Sequence, residues 1–192
     1  MKLWAIVIVI SITTWLASPT QGLAQEPVRG YAMGDPMPGS QAPAFVLPYV
    51  RADGPGPPEQ PFSLAAELGR VVVLAFCPRP ADSAAVALLL GLAVRHDSLV
   101  TGEVILAAIL PEGSERLTGR SADLSLPYKL LADSLDRVRR RYGVDRRELA
   151  VYVVGPRGNV AWREMRFNPF LPMSYRHLAQ AIQRAAGGAS GR

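Results

Sequence analysis

The run Val71-Val72-Val73-Leu74-Ala75-Phe76 constrains this chain more than any other stretch. Consecutive apolar, mostly β-branched residues suit a strand covered on both faces; a strand with one wet face would alternate apolar and polar side chains. Such a strand needs partners in a sheet and helices on each side of it, and the flanking sequence offers both. After Cys77-Pro78, Asp82 or Ser83 is placed to cap a helix over 84–94 that is apolar almost all round and therefore expected to be buried. Glu103 to Leu110 then repeats the pattern of a buried strand and closes at Pro111.

The elements around this core follow from turn and cap residues. Upstream, Ala44 to Leu47 reads as a short strand, 53–58 as a Gly/Pro-rich turn, and Phe62 to Gly69 as a helical turn or two with Ser63 as N-cap. Downstream, a short helix is expected within 112–125 and a short strand over Tyr128 to Asp133. Ser134 is expected to cap a helix with Leu135, Val138 and Tyr142 on one face and arginines on the other. Leu149 to Val154 and Asn159 to Phe167 form a hairpin around Gly155-Pro156-Arg157-Gly158, and Ser174 heads a final helix carrying Tyr175, Leu178 and Ile182. The order β-α-β, then α, then β-β-α predicts an α/β, thioredoxin-like fold, with a central mixed sheet and helices on both faces.

The chain of 192 residues suits one such domain plus appendages. Lys2, the apolar run Leu3 to Leu16 and the small residues of Gly22-Leu23-Ala24 mark 1–24 as a signal peptide cleaved after Ala24, which directs the protein to the periplasm or the outside. The run is short of the roughly 20 apolar residues that span a bilayer, so membrane attachment would require that segment to stay uncleaved. Residues 25–41 read as a Gly/Pro-rich linker, 42–187 as the domain and 188–192 as a tail. A single cysteine, Cys77, leaves an exported chain without an internal disulfide.

The candidates for chemistry are few. Cys77 at the strand end reads either as a buried core thiol or as a reactive one whose pKa Arg79 lowers. Asp82 is a helix cap or an acid/base group. His96 and His177 have no cysteine or paired carboxylate at ligand spacing, so no metal is expected, and no phosphate loop points to a cofactor. Much of the net charge of +5 gathers in Arg137, Arg139, Arg140, Arg141, Arg146 and Arg147. That cluster is a solvated helix face or an anion site; no interleaved aromatics suggest nucleic acid. The apolar loop Asn168 to Met173 is either a contact surface or packing beneath the last helix.

Several segments together resemble peroxiredoxins of the alkyl hydroperoxide reductase and thiol-specific antioxidant type. They are Gly34 to Pro38, Ala42 to Pro48, Phe62-Ser63-Leu64 before Gly69 to Phe76, Leu126 to Asp133, Arg141 to Val144 and Val151 to Val160, in the family's order over about 34–186. The resemblance implies a Pro-x-x-x-Thr/Ser-x-x-Cys loop whose cysteine opens a helix that stabilises its thiolate. Pro78 matches the proline; Asp82 stands where the hydroxyl belongs, Ala85 where the peroxide-attacking cysteine belongs, and Leu149 where the family places an arginine. A thioredoxin-type Cys-x-x-Cys pair would fall on Ala81 and Ala84. Two expectations follow: a domain without peroxidase activity that acts by binding a protein partner or a second copy of itself, and, alternatively, an antioxidant oxidoreductase using Cys77 with an external thiol reductant.

Overall fold

A computed structural model of the chain describes residues 35–79 and 82–188. The signal segment, the linker up to residue 34, Ala81 and the tail from 189 lie outside the described residues. The elements run β1 (Val46–Leu47), β2 (Tyr49–Arg51), β3 (Gly54–Pro55), β4 (Phe62–Ser63), a 3-10 turn (Leu64–Glu67), β5 (Val71–Phe76), α1 (Ser83–Val94), α2 (His96–Leu99) and β6 (Val104–Leu110). There follow α3 (Ser114–Asp123), β7 (Lys129–Ala132), α4 (Arg137–Arg141), β8 (Ala150–Val154), β9 (Val160–Met165) and α5 (Pro172–Gly187).

Seven strands form the sheet in the order β3-β2-β7-β6-β5-β8-β9. β5, β6 and β7 are parallel, joined through α1 and α3, whereas β8 pairs antiparallel to β5 and β9 closes a hairpin on β8. β5 is buried at every position, as its composition requires. Val71, Val73, Ala75 and Cys77 face one apolar layer with α1, α3 and α5, while Val72, Leu74 and Phe76 face the other with Leu64, Val138 and Tyr142. The period of two along the strand thus divides one run between two cores. In the second layer Tyr142 and Tyr152 pack edge to face at 5.1 Å, and their hydroxyls donate to the Pro43 and Tyr142 carbonyls at 3.0 and 2.8 Å.

Local details depart from the sequence reading at the helix ends. Ser63 makes no cap bond and its helix is only a 3-10 turn. Ser134 does not cap α4: the Asp133 carboxylate does, accepting from the amides of Arg137, Val138 and Arg139 at 2.8, 3.0 and 2.9 Å. A carboxylate reaches three orphan amides where a hydroxyl reaches one, and the left-handed Asp136 (φ 52°) bends the chain to bring them round. α5 starts at Pro172, whose fixed φ suits a first helical position, rather than from Ser174. The short helix α2 and the hairpin β2–β3 carry no strong sequence signal. Gly39 and Ala42 donate to the carbonyls of Val160 and Gly158, so chain assigned to the linker already packs on the closing hairpin.

α1 is not wholly buried, although its residues are apolar all round. Ala85, Leu88, Leu89 and Leu92 face the core, but Leu90 and Val94 are 40% and 83% exposed. A helix lying on one face of a sheet has an outer side whatever its composition.

Candidate functional site

A cavity of about 610 Å³ opens where the parallel strands end. Ligands in open α/β sheets bind beyond the carboxyl ends of the strands, because the connecting loops diverge there. Pro78 and Arg79 follow β5, Pro111 follows β6, and Ser134 and Asp136 follow β7. Asp82 at the start of α1 and Arg146-Arg147 before β8 complete the rim. Sequence-nominated Pro78, Asp82, Arg146 and Arg147 therefore meet, although 64 or more residues separate Asp82 from the arginine pair. Arg79, Pro111, Ser134 and Asp136 join them; their common signal is a position just after a strand.

Asp82 is the N-cap of α1, with Oδ1 accepting from the Ala84 amide at 2.9 Å. Ala85 sits in the first turn, fully buried, and presents only a methyl group. Leu149 is buried beside β8 and bounds a separate, shallower pocket with Asp82 and Phe170. None of these three side chains is a nucleophilic thiol or a guanidinium.

Cys77 does not face the cavity. Its side chain is fully buried in the layer formed by α1, Tyr128 and Tyr175, and burial pushes its thiol up to about 12. The arginine that opposes this shift is Arg139, not Arg79 as the sequence suggested; Arg79 lies exposed on the cavity rim. A thiol with that pKa is protonated at neutral pH, and the thiolate is the nucleophile.

Arg139 is the residue that sequence reasoning placed wrongly. Expected on a solvated face, it is 1% exposed. Its guanidinium donates to the carbonyl of Cys77, to that of Asp145 at 2.6 Å and to that of Glu148 at 3.2 Å, and lies 3.9 Å from the Asp136 carboxylate. It thus ties the end of β5 to the loop carrying Arg146 and Arg147. Burial lowers its pKa, and the charges around it oppose that change; an arginine stays ionised through shifts of this kind. Asp136 also forms an ion pair with Arg146, Nε lying 2.8 Å from Oδ2. The arginine cluster is therefore divided: Arg139 is internal, Arg146 and Arg147 border the cavity, Arg141 donates to the Ala44 carbonyl at 3.2 Å, and Arg137 and Arg140 are exposed away from it.

His96 stacks on Tyr128 at 6.4 Å and lies 3.2 Å from Asp97, and among the described residues no group of His, Cys, Asp or Glu has the arrangement of a metal site. No helix among them is long and apolar enough to cross a membrane.

The AhpC/TSA family model matches residues 38–163, which takes in β1 to β8, most of β9 and the whole cavity rim. The chain belongs to the AhpC/TSA family. Solved structures agree on the fold. A reduced 2-Cys peroxiredoxin of Plasmodium vivax superposes with a TM-score of 0.68 at 17% identity, covering 80% of this chain and 84% of that one. AhpC of Enterococcus faecalis gives 0.66 at 14% identity, over 79% and 93%, and the peroxidoxin BcpB of Mycobacterium tuberculosis gives 0.66 at 16%, over 78% and 97%. No curated protein matches the sequence. Within the AhpC/TSA scaffold, the cavity at the sheet end is built and open, and its lining holds arginine, aspartate, serine and proline but no thiol.

Proposed function

We propose that this chain is an exported AhpC/TSA-family domain that does not turn over peroxide and acts instead by binding at the cavity beyond β5, β6 and β7. The observation that carries this reading is the state of the only thiol. Cys77 is sealed in the core with a pKa raised to about 12, while Ala85 occupies the helix start where the family's thiol is expected. A peroxidatic step needs a thiolate in contact with peroxide, and neither condition is met at Cys77. The signal-like segment 1–24 supports export to the periplasm or the outside. Assembly with a second copy or a protein partner belongs to the same reading. Leu90 and Val94 on α1 and Phe170, Leu171 and Met173 in the loop Asn168 to Met173 are large apolar side chains left exposed, which supports contacts with a partner.

Hydrogen peroxide and an alkyl hydroperoxide are to be offered to the native protein with a dithiol reductant, beside Cys77→Ser. The expected result is no consumption above the variant, with Cys77 labelled by a thiol reagent only after denaturation. Consumption that requires Cys77, or prompt labelling in the folded state, would return the domain to the thiol oxidoreductases with an external thiol reductant.

A further inference from the structure

The charged groups around the cavity are unequally committed, and that inequality points to a ligand. Three guanidinium groups, those of Arg79, Arg146 and Arg147, face two carboxylates, those of Asp82 and Asp136. Both carboxylates already have internal work. Asp82 Oδ1 holds the Ala84 amide at the head of α1, and Asp136 Oδ2 holds Arg146 Nε at 2.8 Å. The arginines are less engaged. Arg146 is ion-paired through Nε alone among the described residues, and its two terminal nitrogens have no partner there. The side chains of Arg79 and Arg147 make no hydrogen bond or ion pair among the described residues, and both are exposed. Beneath them Arg139 adds a buried positive charge whose N–H groups are occupied by carbonyls.

A guanidinium fork matches paired oxygens, as in a carboxylate or a phosphate, and the ion pair to Asp136 keeps Arg146 at the cavity rim. Three guanidinium groups against two carboxylates leave the rim net positive, and the buried charge of Arg139 adds to it, which favours an anion over a cation. The space of about 610 Å³ exceeds what a bare inorganic ion needs and lies in the range of small-molecule sites. Pro78 and Pro111 give this space stiff walls without amide donors, suited to the carbon part of a ligand.

Resting on the reading that the cavity binds rather than reduces, we propose that it takes a small organic acid. A carboxylate or phosphate head is held by Arg79, Arg146 and Arg147, and a compact carbon body lies against Pro78 and Pro111. The two head groups share one chemistry, paired anionic oxygens, and separate by experiment. Succinate and phenyl phosphate are to be titrated calorimetrically into the full chain at low and at moderate salt. The variants are Arg79→Ala with Arg147→Ala, the charge-keeping Arg147→Lys, and Arg184→Ala on α5 outside the cleft.

At least one probe is expected to bind saturably at one site per chain, and the tighter one names the head group. Affinity should fall about tenfold or more for each arginine removed, less for Arg147→Lys, and not at all for Arg184→Ala. No saturable binding of either probe, or equal binding by the double variant, overturns the proposal; so does an equal loss in Arg184→Ala, which would mean a diffuse positive field. Because Arg79 and Arg147 are exposed, the double variant should melt as the parent does, and Arg147→Lys carries the test should it not. The peroxide assay on the same samples keeps the two ideas apart. Peroxide loss that requires Cys77 sinks the binding reading, whereas untouched peroxide with unselective or absent anion binding sinks the ligand alone.

Discussion

Arg139 and Arg147 belong to one arginine-rich stretch, yet the fold treats them oppositely. Arg139 is buried, with its N–H groups satisfied by the carbonyls of Cys77, Asp145 and Glu148; Arg147 stands at the cavity with no partner for its side chain among the described residues. A buried arginine must be satisfied by the protein, because water cannot reach it, and so becomes structural. An exposed one near a concavity can wait for a ligand. Burial, not residue type, separates the two roles.

That contrast breaks most readily at Arg139. Arg139→Ala would leave the carbonyls of Cys77, Asp145 and Glu148 without their donor and take one of its two cations from the Asp136 carboxylate, for an expected loss of about 3–5 kcal/mol of unfolding free energy in urea. A loss under about 1 kcal/mol would put Arg139 on a par with the surface arginines and end the distinction. Asp133→Ala removes the acceptor of three amides at the start of α4 and is expected to cost about 2 kcal/mol, enough to loosen the loop that carries Arg146 and Arg147. An unchanged urea midpoint would mean that α4 is held by its packing alone.

The pH dependence sharpens the same comparison from the side of the buried thiol. Cys77 has its pKa raised from 9.0 to about 12, so between those values the unfolded chain ionises while the folded one keeps its proton. Stability from this group is present below pH 9.0 and falls as pH rises toward about 12, by up to about 1.4 kcal/mol per unit. Tyr142 and Tyr152, also raised by burial, act in the same direction above pH 10.0. Urea midpoints from pH 8 upward should therefore fall less steeply in Cys77→Ala than in the parent; equal slopes would place the thiol in contact with water. The smallest effect belongs to the rim: Arg147→Ala and Arg79→Ala should shift stability by no more than about 0.5 kcal/mol, and a larger loss would make them structural like Arg139.

The sheet was readable before the structure because its signals are local. Val71 to Phe76, Val104 to Leu110 and Ala150 to Val154 each carry a strand's pattern within the strand itself, and the turn at Gly155-Pro156-Arg157-Gly158 announces the hairpin. The site was half readable. Pro78, Asp82, Arg146 and Arg147 were nominated and meet at the cavity, but Leu149, Arg137, Arg140 and Arg141 do not border it, and Arg79, Pro111, Ser134 and Asp136 were not assigned to it. The cap of α4 was misplaced on Ser134 because a side chain that reaches around a left-handed bend leaves no regular spacing to read.

The identity of each residue at the sheet end follows from the sequence alone: one cysteine in the whole chain, an aspartate where a hydroxyl was expected, and alanine where the helix would open on a thiol. Only the tertiary structure decided which of these groups meets solvent. Cys77 and Arg139 turn inward beneath α1 and the loop before β8, while Arg79, Arg146 and Arg147 turn toward the cavity. Composition sets which charges and thiols a chain carries; their desolvation, and so their chemistry, depends on elements far apart in sequence packing against one another.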